Sequence, residues 1–238
     1  MKSAKLIREM EKLEIPKTLE EMRKIQKELS RKVITRGKFE ADYVIGVDQA
    51  FSGDTVISAC VALDLELNVV CNVIHAERTE VPYIPTYLMF REGPSAVNAV
   101  KKILKKLDSD KVCIMVDGSG IAHPRKCGLA TYVGLSLSVQ SIGITKSKLY
   151  GFYKKELKEV LDCTEIFDEK GEKIGYVLKT CKKCKPIYIS PGHMISPDEA
   201  LKAVLVCLKG YKLPEPVRLA HELATLTKKK GCLTLDSF

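Results

Sequence analysis

Three runs, YVIGVDQAF (43–51), TVISACVALDL (55–65) and NVVCNVIHAE (68–77), decide the fold. Each is rich in β-branched residues, and they are separated by Ser52-Gly53-Asp54 and by Glu66 to Asn68, short polar connections that turn a chain back on itself. The spacing predicts an antiparallel meander. Downstream, residues 95–107, with AVNAVKKILKKL, have the spacing of an amphipathic helix and lead into KVCIMVDG (111–118), an apolar run that reads as a buried strand. A further helix over about 126–138 and a short strand SIGIT (141–145) put a parallel pair with a helical crossover beside the meander. The expected fold class is α/β, a mixed central sheet flanked by helices.

Working outward, residues 3–33 space Leu, Ile and Met among Lys and Glu with an interruption at Pro16, which predicts a two-helix N-terminal cap over 1–33. Beyond Lys146, alternating segments at 174–180 and 186–190 follow a KGEK turn (170–173) that closes a hairpin, and helices follow at about 197–208 and 215–229. The stretch 228–238, KKKGCLTLDSF, reads as a frayed tail. No internal repeat or Gly/Ser linker divides the 238 residues, so one domain is expected.

Hydrophobic residues make up 45% and charged residues 29% of the chain, a balance that excludes disordered and fibrous architectures. No run approaches the roughly 18 consecutive apolar residues of a membrane span. The first residues, MKSAKLIREMEKLEIPK, lack a signal peptide's apolar core, so a cytoplasmic protein is expected, by default a monomer. Lys and Arg outnumber Asp and Glu by 39 to 30, and the net charge of +9 favours an anionic partner such as a nucleic acid, though a merely solvated Lys-rich surface gives the same balance. Of nine cysteines, Cys60, Cys71, Cys113 and Cys207 sit inside apolar runs and read as small buried hydrophobes, which argues against a disulfide framework. Cys181 and Cys184 form a Cys-x-x-Cys without a second pair at zinc-ribbon spacing; among Lys179, Lys182, Lys183 and Lys185 they read as a basic turn.

Three acids hold comparable positions. Asp48 and Asp117 are read as the ends of apolar strands, and Glu92 follows the loop PYIPTYLMFRE. Converging carboxylates on rigid strands make a hard-oxygen site for magnesium or manganese, the kind that phosphodiester hydrolysis uses. Singly, each more readily caps a turn or a helix. The segment DGSGIAHPRKCGLA (117–130) adds flexible backbone at Gly118 and Gly120, a proton donor or phosphate contact at His123, and cations at Arg125 and Lys126 that can pair with phosphates. Its alternative is a glycine turn whose His caps the next helix. Lys146 follows the short strand and can reach a phosphate oxygen. In VPYIPTY, Pro82 and Pro85 stiffen a loop around Tyr83 and Ile84, whose apolar tip either wedges into a base stack or plugs the core.

Taken together, GVDQAF, VPYIPTYLMFREGP, VDGSGIAHPRKCGLATYVG, SIGITKSKLYG, ISPGHMIS and GYKLPEPVRLAHELA resemble the endonuclease V family in order and spacing over about residues 44–225. The resemblance implies a ribonuclease H-like fold and a magnesium-dependent enzyme in which manganese can substitute. It implies recognition of deoxyinosine in DNA and a nick at the second phosphodiester bond on its 3′ side, leaving 3′-hydroxyl and 5′-phosphate ends. By motif position, Asp48 and Asp117 match the metal aspartates, Glu92 the third carboxylate, and His123 and Lys146 the residues that assist at the scissile phosphate. Tyr83, with Pro82 and Ile84, matches a wedge; Arg91, Gly118, Gly120, Ile121 and His193 are expected near the nucleic acid or the base. Two departures, TCKKCK and Gln49, touch local contacts only. Inosine in RNA is the alternative substrate, and a binding protein without catalysis is the alternative of another class; the three retained acids argue against the latter.

Overall fold

A computed structural model describes residue 16 and residues 18–231. The strands are β1 (Tyr43–Ser52), β2 (Thr55–Leu63), β3 (Val69–Arg78), β4 (Val112–Asp117), β5 (Gln140–Thr145), β6 (Cys163–Phe167), β7 (Lys173–Leu178) and β8 (Ile187–His193). The described helices are α1 (Leu19–Ser30), α2 (Leu88–Leu104), α3 (Leu129–Leu137), α4 (Pro197–Val206) and α5 (Glu215–Lys229). All the strands join one sheet in the order β3-β2-β1-β4-β5-β8-β7-β6. β1, β4 and β5 run parallel; the other neighbours are antiparallel, so the expected meander and crossover are both present. The first helix of the expected cap, and residues 232–238 of the expected tail, lie outside the described residues; Lys228 and Lys229 belong to the last turn of α5.

Two apolar layers hold the sheet. On one face Ile45, Val47, Ile114 and Val116 pack under Met89, Val100 and Ile103 of α2, Leu135 of α3 and Leu29 of α1. On the other, Val44, Cys113, Met115 and Ile144 pack under Val204 of α4 and Val217 of α5. Each buried aliphatic side chain of this size contributes roughly 1.5–3 kcal/mol of transfer free energy, so the alternation along β1 and β4 is what fixes the helices to both faces. α1 begins with a capping box: Thr18 accepts from the Glu21 N–H while the Glu21 carboxylate accepts from the Thr18 N–H, an arrangement worth about 1 kcal/mol.

Three boundaries differ from those the sequence suggests. α2 begins at Leu88 and contains Pro94, although that proline removes a helical hydrogen bond; burial of Met89, Phe90, Ala96 and Val97 around it outweighs the loss. Glu92 therefore stands on a helix and not in a loop. β1 runs past Asp48 to Ser52, so this acid lies within its strand. β6 completes the hairpin closed at 170–173.

Candidate metal centre and nucleic-acid site

The parallel register of β1 and β4 aligns Val47 with Val116, which puts Asp48, inside β1, beside Asp117 at the carboxyl end of β4, the side of the parallel strands where open α/β sheets place their ligands. The third group comes from the helix on the other side of β1. A Cβ on Gly46 would lie 1.9 Å from the Pro216 carbonyl oxygen, so only glycine lets α5 press this closely against β1. That approach carries His221 to Asp48, with Nδ1 2.6 Å from Oδ2. One ligand atom from each of Asp48, Asp117 and His221 lies within 4.8 Å of the others. Lys146, just beyond β5, sets its Nζ 2.5 Å from Asp117 Oδ2.

Glu92 enters from the helix face. Burial and the negative charges of Asp48 and Asp117 push its carboxyl up to about 7, and burial followed by the Asp117 charge raises Asp48 as well, against the lowering hydrogen bond from His221. Like charges confined this way want a counter-charge. Carboxylate oxygens with one imidazole suit a divalent cation, and Lys146 supplies a single positive charge without one. These residues therefore fit a divalent metal. His221 was not singled out in the sequence, where a half-exposed His on a charged helix carries no signal of its own.

Beside the carboxylates, the 118–128 segment folds back over the sheet. Gly118 N–H donates to the Ile144 carbonyl at 2.9 Å, Gly120 N–H to Ser190 Oγ at 2.9 Å, and Ile121 N–H to the Pro191 carbonyl at 2.8 Å. Between this segment and the 82–88 loop lies a solvent-open cavity of about 90 Å³, lined by Tyr83, Pro85, Leu88, Gly118, Ser119 and His123 among others. Gly118, which lines this cavity, directly follows Asp117 in the chain. Tyr83 is 66% exposed while Ile84 packs on the core. Pro82 is exposed beside it.

The other sequence candidates divide. His123 is buried at the cavity, its Nε2 donating to the Thr86 carbonyl at 2.8 Å and its Nδ1 accepting from the Arg125 N–H at 3.1 Å; with both nitrogens engaged it is a neutral anchor, and burial brings it down to about 4. Arg125 and Lys126 do not present free cations to a phosphate. Arg125 bonds Thr86 and Gln26 and stacks on Tyr87, and Lys126 pairs with Asp168 at 2.8 Å and with Glu172. Arg91 donates to the Val81 carbonyl and lies over the Phe51 ring, which fixes the start of the 82–88 loop. Gly120 and Ile121 do not line the cavity: a Cβ on Gly120 would meet the Pro191 carbonyl oxygen at 2.0 Å, and Ile121 belongs to a small apolar core. His193 pairs with Ser141 at the start of β5, the sheet end opposite Asp117, and its buried Nδ1 accepts from the Ile34 N–H at 3.3 Å. The side chain is buried there, away from the candidate cavity's lining. Cys181 and Cys184 are disulfide-bonded within the exposed lysine-bearing turn; this is a local bridge, with Cys60, Cys71, Cys113, Cys127, Cys163 and Cys207 free among the described residues.

A family model described as Endonuclease V matches residues 27–222. The chain belongs to the endonuclease V family. It is 52% identical over 216 residues to Endonuclease V of Archaeoglobus fulgidus, covering 89% of this chain and 94% of that protein. The crystal structure of Endonuclease V from Streptomyces avermitilis superposes with a TM-score of 0.81 at 31% identity, covering 92% of this chain and 96% of that one. Ciona intestinalis Endonuclease V, solved with a 24mer DNA containing an inosine followed by a ribo-adenosine, gives a TM-score of 0.75 at 26% identity over 89% of this chain and 98% of that one. Membership makes the expected endonuclease class plain and assigns the mixed sheet to the family's fold. No helix among the described residues is long and apolar enough to cross a membrane.

Proposed function

We propose that this protein is a magnesium-dependent endonuclease that recognises deoxyinosine in DNA and nicks the second phosphodiester bond on its 3′ side, leaving 3′-hydroxyl and 5′-phosphate ends. The observation that carries the reading is that the cavity beside Tyr83 is lined by Gly118, the residue directly after Asp117 of the Asp48–Asp117–His221 cluster. It joins a hydrolytic centre to a place for an extruded base. Support also comes from the relative in Ciona intestinalis, solved with inosine-containing DNA.

Asp48 and Asp117, with His221, would hold the cation, and manganese would serve in place of magnesium. A cation held there would supply activation of a water and offset charge on the phosphate. In this reading Glu92, buried on α2 and within reach of the Asp48 and Asp117 charges, accepts a proton from the attacking water. Lys146 exchanges Asp117 for a phosphate oxygen as the strand enters. Tyr83, flanked by Pro82 and Ile84, fills the gap left in the stack, and Gly118 allows the flipped base to approach the backbone. His123 and Arg91 act on the loop and not on the phosphate.

Inosine-containing RNA is the second reading, favoured by the ribo-adenosine that follows inosine in the strand bound by the Ciona relative. The test is cleavage of sequence-matched deoxyinosine DNA and inosine RNA strands with magnesium present. Faster cutting of the DNA supports the repair assignment; equal or faster cutting of the RNA replaces it with a ribonuclease.

A further inference from the structure

The inward stripe of α1 is Met22, Gln26 and Leu29, an amide standing where the spacing favours an aliphatic side chain. Gln26 is only 1% exposed. Such an amide persists in a core when its donors and acceptor are matched. Its Nε2 donates to the Thr86 carbonyl at 2.9 Å and to the Cys127 carbonyl at 3.1 Å, and its Oε1 accepts from Arg125 Nε. Arg125 in turn donates through Nη2 to the Thr86 carbonyl at 2.8 Å and to Thr86 Oγ1 at 2.6 Å. His123 Nε2 adds a third donor to the same carbonyl at 2.8 Å.

This convergence falls on an unfavourable turn. The Tyr87 N–H donates to the Ile84 carbonyl at 3.0 Å, closing a turn over Pro85 and Thr86. Thr86 has φ 70°, the left-handed value that a type II turn requires at its third position and that glycine ordinarily supplies. Among the described non-glycine residues with positive φ it is the only β-branched one. A branched side chain resists that conformation, so the local sequence IPTY does not hold the turn by itself. The donors from α1 and from the 123–125 segment do. The same turn fixes where Tyr83 stands, and Gln26, Tyr83, Pro85 and Thr86 all line the cavity.

We infer that Gln26 is a positioning residue for lesion recognition: by donating to the Thr86 carbonyl and holding Arg125 against it, Gln26 keeps the 82–88 loop in the strained turn that presents Tyr83 beside the cavity. The recognition half of this inference rests on the proposed base-extrusion function; the loop-holding half does not.

The experiment compares Gln26→Leu, which fills the apolar stripe, and Gln26→Glu, which keeps an acceptor for Arg125 but loses the Nε2 donor, each alone and with Thr86→Gly. Affinity for an inosine duplex and for an undamaged duplex is measured without divalent ion, the single-turnover rate at saturating duplex with magnesium, and hydrogen exchange at the Tyr87 amide in the free protein. Gln26→Leu should bind the inosine duplex about tenfold more weakly, leave undamaged affinity and the saturated rate within about twofold, and speed Tyr87 exchange. Gln26→Glu should go the same way. In the Thr86→Gly background, where the turn needs no holding, Gln26→Leu should add less than about twofold. Equal losses on both duplexes, a loss confined to the saturated rate, unchanged Tyr87 exchange, or a full tenfold loss in the Thr86→Gly background would overturn the inference. A wild-type protein without preference for inosine would overturn the proposed function and the recognition half together, while faster Tyr87 exchange in Gln26→Leu would still support the loop-holding half.

Discussion

Asp48 and Asp117 stand on adjacent parallel strands, and the imidazole that joins them comes from a helix pressed onto β1 through Gly46. Tyr83 stands on a loop whose turn is held by side-chain donors from α1 and the 123–125 segment. In the first region the backbone ladder and the apolar core set the geometry. In the second, a buried polar network sets it against the local backbone preference. The difference accords with the proposed function, in which hydrolysis needs fixed atoms, whereas a probe that enters a base stack belongs on an exposed loop over a rigid scaffold. It implies that chemistry and recognition are separable by mutation.

The largest expected effect is at the carboxylates. Asp117→Ala should lower magnesium-dependent nicking of an inosine duplex by at least about a thousandfold and leave lesion affinity within about threefold. A gel-based cleavage assay with a parallel binding titration checks this, and retained nicking removes Asp117 from the centre. His221→Ala leaves both aspartates in place, so it should raise the magnesium concentration for half-maximal cutting by about ten- to a hundredfold with little change in lesion affinity. A metal titration of the cutting rate decides it; an unchanged midpoint makes His221 a partner of Asp48 only.

Tyr83→Ala tests the other region. It should weaken inosine-duplex binding by about tenfold, the order of one lost base–aromatic stack, while the saturated rate stays within about threefold. Unchanged affinity rejects the wedge.

The smallest effect is in pH. Asp48 and Glu92 are raised by burial, so the folded protein holds their protons more tightly than the unfolded chain does. Their contribution to stability is full below the ordinary carboxylate range and is lost as pH rises through about 7. His123 and His193, both lowered to about 4 by burial, contribute in the opposite sense, losing stability as pH falls from about 6.5 toward that value. Neither histidine belongs to the cluster of Asp48, Asp117 and His221, so a metal ion distinguishes the two sets. Magnesium should raise the melting temperature by a few degrees more at about pH 8 than at about pH 5.5, because only the ionised carboxylates bind it. Equal shifts at both pH values would separate the raised carboxyls from metal binding.

Much of this was legible in the chain. The β-branched runs and their short connections specified the meander, and KVCIMVDG followed by SIGIT specified the parallel neighbours, because a strand's period and its turn residues are local properties. Asp48, Asp117 and Lys146 meet for the same reason: the strand order that the runs imply brings them together. Tertiary packing decided the rest. Burial of Met89 and Phe90 carried α2 through Pro94 and moved Glu92 onto a helix. Arg125 and Lys126 read as phosphate ligands from their charge, but Thr86, Asp168 and Glu172, remote in sequence, claim them. His193 and His221 show the same limit from both sides. The former sits in a conspicuous SPGH motif and is buried at the far end of the sheet, whereas the latter sits in an ordinary amphipathic helix and completes the candidate metal-binding cluster.

The most direct test of the division between fixed chemistry and held recognition is nicking of one inosine duplex by wild type, Asp117→Ala and Tyr83→Ala, with and without magnesium, and with product ends mapped. The account predicts no cutting by any protein without the ion. With it, wild type and Tyr83→Ala at saturating concentration should give the same single nick, at the second phosphodiester bond 3′ to inosine with 3′-hydroxyl and 5′-phosphate ends, while Asp117→Ala gives none. Cutting that survives chelation, or a nick whose position moves with Tyr83→Ala while Asp117→Ala still cuts, would contradict it.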